Sequence, residues 1–173
     1  MPIYHQGRKV KAVYHQGRKV REIWHMGRRI YTSKPVEVMP PTAGQWDAQN
    51  WLRGKLTEYG EYYTTVTELP FDIDSRNATD MTRMFQDCSS LTTVPQMDTA
   101  QVTKMSSMFI ACSALTSVPE MDTRNVTNME NMFRDCSSLT DGNVTLTVKR
   151  KDANTYRMIY NSGLTREPFL TIE

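Results

Sequence analysis

Residues 74–97 read DSRNATDMTRMFQDCSSLTTVPQM, residues 98–121 read DTAQVTKMSSMFIACSALTSVPEM, and residues 122–143 read DTRNVTNMENMFRDCSSLTDGN. Set one under another at a period of 24, their apolar positions coincide: Ala78/Val102/Val126, Met81/Met105/Met129, Met84/Met108/Met132, Phe85/Phe109/Phe133, Cys88/Cys112/Cys136 and Leu91/Leu115/Leu139. A unit this short cannot bury its apolar face alone and must bury it against the copies before and after it, so the period predicts a solenoid. Met81, Met84 and Phe85 stand at i, i+3 and i+4, the spacing of one buried helical face. The spacing predicts a short helix in each unit, with Thr79, Thr103 or Thr127 as its N-cap. The Ser-Ser-Leu-Thr-Thr-Val-Pro stretch after Cys88 predicts a short strand ending at the proline.

The segments on either side read as variants of the same unit. Residues 43–59 have helical spacing, with Trp46, Trp51, Leu52, Leu56 and Tyr59 on one side and Gly60 placed to end the helix. With the strand-like YYTTVTELPFDID that follows, they predict an atypical first repeat that caps the stack. Asp152 to Gly163 predicts a decayed fourth helix, and Phe169 to Ile172 a closing strand.

The first thirty residues repeat with a different period, ten: YHQGRKVKAV, YHQGRKVREI, WHMGRRIYTS. Two-residue turns at Gln6-Gly7, Gln16-Gly17 and Met26-Gly27 predict three hairpins, since glycine supplies the positive φ of a tight primed turn. The register then sets Ile3 across from Val10, Tyr4 from Lys9, Val13 from Val20, Tyr14 from Lys19, Ile23 from Ile30 and Trp24 from Arg29. An aromatic beside a cation and an aliphatic facing an aliphatic both favour such a ladder. Linked as one meander, the hairpins make a small sheet apolar on both sides, which needs a cover. Residues 1–34 hold nine lysines and arginines against one acid, Glu22, whereas the rest holds twelve bases against eighteen acids. A basic head therefore precedes an acidic body. Candidate docking and self-association residues are Tyr4, Arg8, Lys9, Val13, Tyr14, Arg18, Lys19, Ile23, Trp24, Arg28 and Arg29. The domain reading is a head over 1–34, a proline-rich linker over 35–42 and a capped solenoid over 43–173. Within the solenoid the cap is 43–73, the repeats are 74–97, 98–121 and 122–145, and the closing cap is 146–173.

Several sharper chemistries lose to plainer ones. His5, His15 and His25 do not converge in an up-and-down meander, which leaves His15 at the opposite end, so a zinc site is not expected. The charge run reads as a solvated or protein-docking face rather than a nucleic-acid site. Cys88, Cys112 and Cys136 share one repeat position and read as reduced core thiols, because equivalent side chains on successive coils point the same way. Asp74, Asp98 and Asp122 form a row, but one aspartate per unit is too few oxygens for calcium and suits turn stabilisation instead. Asn77, Asn125 and Asn143 match the glycosylation acceptor pattern and read as turn asparagines. No catalytic triad, phosphate loop or metal-protease motif occurs, so no enzyme and no cofactor are expected. No apolar run is long enough to cross a membrane, and no secretory signal is read at the start.

The pattern L-T-x-V-P-x-M-D-T-x-x-V-T-x-M-x-x-M-F-x-x-C-S-S-L resembles the BspA-like leucine-rich repeats of bacterial surface proteins and of some phages, over about residues 62–140. That resemblance implies an α/β solenoid used for binding or display. The overall expectation is an α+β chain: a small antiparallel hairpin domain, then a short leucine-rich-repeat solenoid with a capping helix. Its solenoid core is Met81, Met84, Phe85, Cys88, Met105, Met108, Phe109, Cys112, Met129, Met132, Phe133 and Cys136. The head resembles, over about thirty residues, the Y-x-x-G-x-x-V hairpin repeats near the start of phage structural proteins. Together these imply a phage virion accessory protein, a capsid decoration or minor tail protein. Its partners would be other virion proteins and its own copies, with a host-surface ligand for the solenoid and no nucleic acid or membrane. The alternatives are a bacterial surface adhesin and an intracellular protein-binding module.

Overall fold

The structure, a computed structural model, describes residues 34–147 and 152–168 except 43, 45 and 46, and the backbone of six short strands within residues 3–31. In that first part β1 (Ile3–His5) pairs antiparallel with β2 (Arg8–Val10), β3 (Tyr14–His15) with β4 (Arg18–Lys19), and β5 (Ile23–His25) with β6 (Arg28–Tyr31). The ladders are separate two-stranded sheets, and among the described residues none joins one hairpin to the next; the links 11–13 and 20–22, on which the expected single meander depends, lie outside the described residues. Ile3↔Val10, Tyr4↔Lys9, Tyr14↔Lys19 and Trp24↔Arg29 pair as the turn arithmetic requires. One pairing differs: Ile23 opposes Tyr31, not Ile30, because the register slips between Ile23 and Trp24. A bulge there puts one extra residue on β6 and shifts every pairing beyond it.

Residues 35–42 run extended, as their prolines suggest, and they also join the body. β7 (Val36–Val38) pairs in parallel with β8 (Asp72–Asp74), in the register Val36↔Asp72, Glu37↔Ile73, Val38↔Asp74. Met39 and Thr42 are buried, and the Thr42 hydroxyl accepts the Asp80 N–H at 3.1 Å. Between these strands lies α1 (Asp47–Glu58). The Asp47 carboxylate accepts the Gly44 N–H at 2.8 Å and sets an acid against the positive end of the helix. Ala48, Leu52 and Leu56 repeat every four residues and form the buried stripe, joined by Gln49. The helix stops where Gly60 takes φ +75°: Glu61 N–H donates to Leu56 O and Gly60 N–H to Thr57 O, the pair of bonds that closes a glycine-terminated helix.

From Met81 the chain coils, and the M-x-x-M-F segments are not helices. Each is a run of successive turns. Met84 N–H returns to Met81 O, Gln86 N–H to Arg83 O, Cys88 N–H to Phe85 O and Leu91 N–H to Cys88 O. Alternate N–H groups leave the coil: Met81, Arg83, Phe85 and Asp87 donate to Lys104, Ser106, Met108 and Ile110. The same four rungs recur from Met105, Ser107, Phe109 and Ala111, and again from Met129, Asn131, Phe133 and Asp135, all at 2.8–3.0 Å. Turning this tightly requires positive φ at two places per coil, occupied by Arg83 and Asp87, Ser107 and Ala111, Asn131 and Asp135, and finally Arg157 and Asn161. Without glycine each costs about 1 kcal/mol, comparable to the net gain from one rung of about 1 kcal/mol. The threonines expected as N-caps bond between coils instead. Thr103 donates both N–H and hydroxyl to Thr79 O, and Thr127 does the same to Thr103 O. Thr92 and Thr116 repeat this on Thr67 O and Thr92 O in the segments read as strands, which contain no named strand.

Inside, the six apolar positions of each unit form columns along the stack, every member at most 1 % exposed. Phe85, Phe109 and Phe133 lie ring on ring, with centroids 5.3 and 5.5 Å apart and planes within 4°. Residues 152–163 make a fourth turn segment, with Met158 buried, rather than the expected helix. The coil then returns through Leu164 to Pro168, whose carbonyl accepts the Leu146 N–H. The closing strand expected over Phe169–Ile172 lies outside the described residues, as does Trp46.

Candidate docking surfaces

The head places the expected docking residues in one repeated arrangement. Tyr4, Tyr14 and Trp24 sit directly across from Lys9, Lys19 and Arg29, and beside each turn His5, His15 and His25 sit across from Arg8, Arg18 and Arg28. Directly opposed residues share one face of a two-stranded ladder. Each hairpin thus repeats, in register, an aromatic opposite a cation and, next to the turn, a histidine opposite an arginine. Val13 lies outside the described residues. What the structure brings together is each pair within its own hairpin.

The outer surface of the body is polar and periodic. Asp74, Asp98 and Asp122 each accept the N–H two residues on, from Arg76, Ala100 and Arg124, at 3.4, 3.0 and 3.0 Å, as turn-stabilising aspartates do. Arg76 and Arg124 then fold back on Asp74 and Asp122, with Nη2–Oδ2 distances of 2.6 Å. The guanidinium beside it holds the Asp122 carboxyl down at about 2, and Arg76 lowers Asp74 in the same way. The middle unit has Ala100 where its neighbours have arginine, and the gap opens a shallow groove of about 530 Å³ floored by Met97 and Thr99 and edged by Asp98, Glu120 and Asp122. At the other end of the body, Lys55 bridges Glu37 of β7 and Glu58 of α1, at 3.0 and 3.1 Å, and its pKa is raised chiefly by the Glu37 carboxylate.

The cysteine column is sealed. Cys112 Sγ and Cys136 Sγ donate to the carbonyls of Phe85 and Phe109, at 3.0 and 2.9 Å. Loss of water around the thiols pushes Cys88 and Cys136 up to about 12 and raises Cys112 as well. All three are unbridged, and such thiols are neither nucleophiles nor metal ligands. Among the described residues no group of three or more His, Cys, Asp or Glu lies close enough to hold a metal ion, and no helix is long and apolar enough to cross a membrane.

One cluster escaped the sequence reading. On the last coil, Tyr156 and Tyr160 are 59 % and 54 % exposed, and the Arg157 guanidinium lies 5.1 and 5.4 Å from their ring centres. The hydrogen-bond rungs align Tyr156 with Glu130 and Tyr160 with Arg134 of the preceding coil. Two aromatics in slots that are polar one coil earlier were the available signal.

No curated protein and no solved structure matches the chain. Residues 45–168, from the start of the capping segment to the end of the last described coil, match the family described as Mycoplasma protein of unknown function, DUF285. The match takes in α1 and all four coils and spans well over half of the 173 residues, and the chain belongs to that family.

Proposed function

We propose that the chain is a non-enzymatic accessory protein of a bacteriophage virion, a capsid decoration or minor tail protein. It docks through the hairpin head and displays a leucine-rich-repeat-type solenoid. The observation that carries this reading is the threefold repetition of a cation opposite an aromatic in a strongly basic segment, joined to a body with a continuous core of its own. Repeated aromatic–cation pairs suit an acidic protein surface, because rings supply contact area at low entropic cost while the cations steer the approach. The likeness of the head to hairpin repeats of phage structural proteins supports the virion setting. Partners on this reading are capsid or tail proteins and further copies of the chain, with a host-surface ligand for the solenoid.

Deleting residues 1–33 tests the reading and spares the Lys34–Glu68 ion pair. The truncated protein should keep a folded body and fail to incorporate into particles. Copurification of the truncated protein with virions would refute docking through the head.

A second reading, a bacterial cell-surface leucine-rich-repeat protein, is favoured by one finding: the family match carries a bacterial description. Labelling of intact bacterial cells, rather than phage particles, by an antibody to the body would decide for it.

A further inference from the structure

The coil stack has a direction, and its two ends differ. In the turn segments each coil sends N–H groups to carbonyls of the following coil, so among the described residues the first turn segment has spare carbonyls and the last has spare N–H groups, while between turn segments Thr103, Thr127 and Asn154 donate to the preceding coil. The first end is occupied by α1, whose buried stripe of Ala48, Leu52 and Leu56 belongs to the same core. At the last end, Ile159 and Asn161 hold the rung positions of Phe133 and Asp135, and Arg157 that of Asn131. Their N–H groups donate to no acceptor among the described residues. Around this row stand the two exposed tyrosines with Arg157 over them, and among the described residues no carboxylate forms an ion pair with that guanidinium. Arg134 one coil back is already matched by Asp135.

We infer that the last coil, around Arg157, Ile159 and Asn161, is a docking edge for an acidic peptide segment of another protein, which lays its backbone carbonyls on the free N–H row and a carboxylate on Arg157. The polarity of the edge selects this occupant. Two copies meeting last coil to last coil, turn segment on turn segment, would oppose donor with donor along that row. A copy stacking first coil to last coil would have to displace its own α1. A chain from outside that offers carbonyls meets neither obstacle, and pairing on an open backbone edge is an established mode of peptide capture. The tyrosines supply rigid contact area beside the rungs. This inference does not depend on the hairpin head.

The test is amide hydrogen exchange on the full chain, alone and with a synthetic peptide of residues 122–139. That peptide has three carboxylates (Asp122, Glu130 and Asp135) against two guanidiniums and carries the carbonyl row that an inner coil presents to its neighbour. In the free protein the Arg157, Ile159 and Asn161 amides should exchange at least about a hundredfold faster than those of Phe109 and Phe133. The peptide should slow all three by about tenfold or more, and Arg157→Glu should weaken binding by about tenfold without changing the melting temperature. Tyr156→Ala, at an exposed position, gives a second variant that should weaken binding while keeping the fold. Protection already present in the free monomer would mean that the chain covers its own edge, and protection growing with protein concentration would assign the edge to a second copy. Either result overturns the inference, as does unchanged exchange at about 1 mM peptide.

Discussion

The hairpin head and the coiled body are both built by copying a short unit, but they settle their hydrogen bonds in opposite ways. A ten-residue unit closes its ladder within itself, and among the described residues the three ladders are separate. A 24-residue unit keeps half of its turn-segment N–H groups for the next copy and stacks its Phe, Met and Cys side chains on those of its neighbours. Copying the first kind of unit multiplies a surface pattern; copying the second lengthens a core. An isolated two-stranded ladder is marginal in water, whereas each added coil buries six more apolar side chains. The same operation on sequence thus yields a repeated surface motif in one region and a cooperative body in the other.

The largest effect expected from this contrast is alkaline destabilisation of the body. In the folded state the three thiols titrate well above their ordinary 9.0, two of them at about 12. Between pH 9 and 12 the unfolded chain loses these protons while the folded chain keeps them. Stability contributed by the sealed thiols is therefore intact below pH 9 and falls as pH rises, by about 1.4 kcal/mol per pH unit for each thiol. Denaturant melts across that range should show the slope, and Cys112→Ala should remove about one third of it. A slope unchanged by Cys112→Ala would mean that the column is open to water.

Next in size is the ring column. Phe109 has a ring on either side, so Phe109→Ala should cost about 3–5 kcal/mol in chemical denaturation, more than the same change at Phe133. Equal losses at the two positions would show that the coils do not share one core. A smaller effect, of opposite sign, belongs to the turns. Ala111 sits at φ +60°, and Ala111→Gly should raise stability by about 0.5–1 kcal/mol. Smallest of all is the influence of the head on the body: Tyr14→Ala should leave the unfolding free energy of the body within about 0.5 kcal/mol. A larger change would mean that the hairpins pack on the coils and that the two regions are one cooperative unit.

The buried residues of the body were legible from the repeat, but the conformation that buries them was not. Met81, Met84, Phe85 and Cys88 are inside as the period requires, yet an i, i+3, i+4 pattern arises equally from a helix and from consecutive tight turns. The local cue for turns was weak, because arginine, serine and alanine share the positive-φ positions with asparagine and aspartate, and none is glycine. In the head, turn chemistry gave the described register of the first two hairpins and of the turn end of the third, and the slip at Ile23 had no local signature. The pairing of residues 36–38 with 72–74 joins segments separated by α1, and no periodicity encodes it. The pairing of rings with cations in the head was visible as a sequence pattern. The Tyr156–Arg157–Tyr160 cluster was hidden by its reading as a helix.

By itself the sequence determined what repeats, which side chains leave water and where charge collects, because these depend on composition and spacing alone. Only the tertiary structure decided that the repeating segment turns rather than winds into a helix, and that the stack has α1 at one end and, at the other, a row of N–H groups that meet no acceptor among the described residues. The physical reason is that each backbone donor of the segment can bond four residues back or cross to the next coil. The crossing rungs exist only when a second coil lies at van der Waals distance, so that choice is made by the neighbour one period away and not by the residues that adopt it.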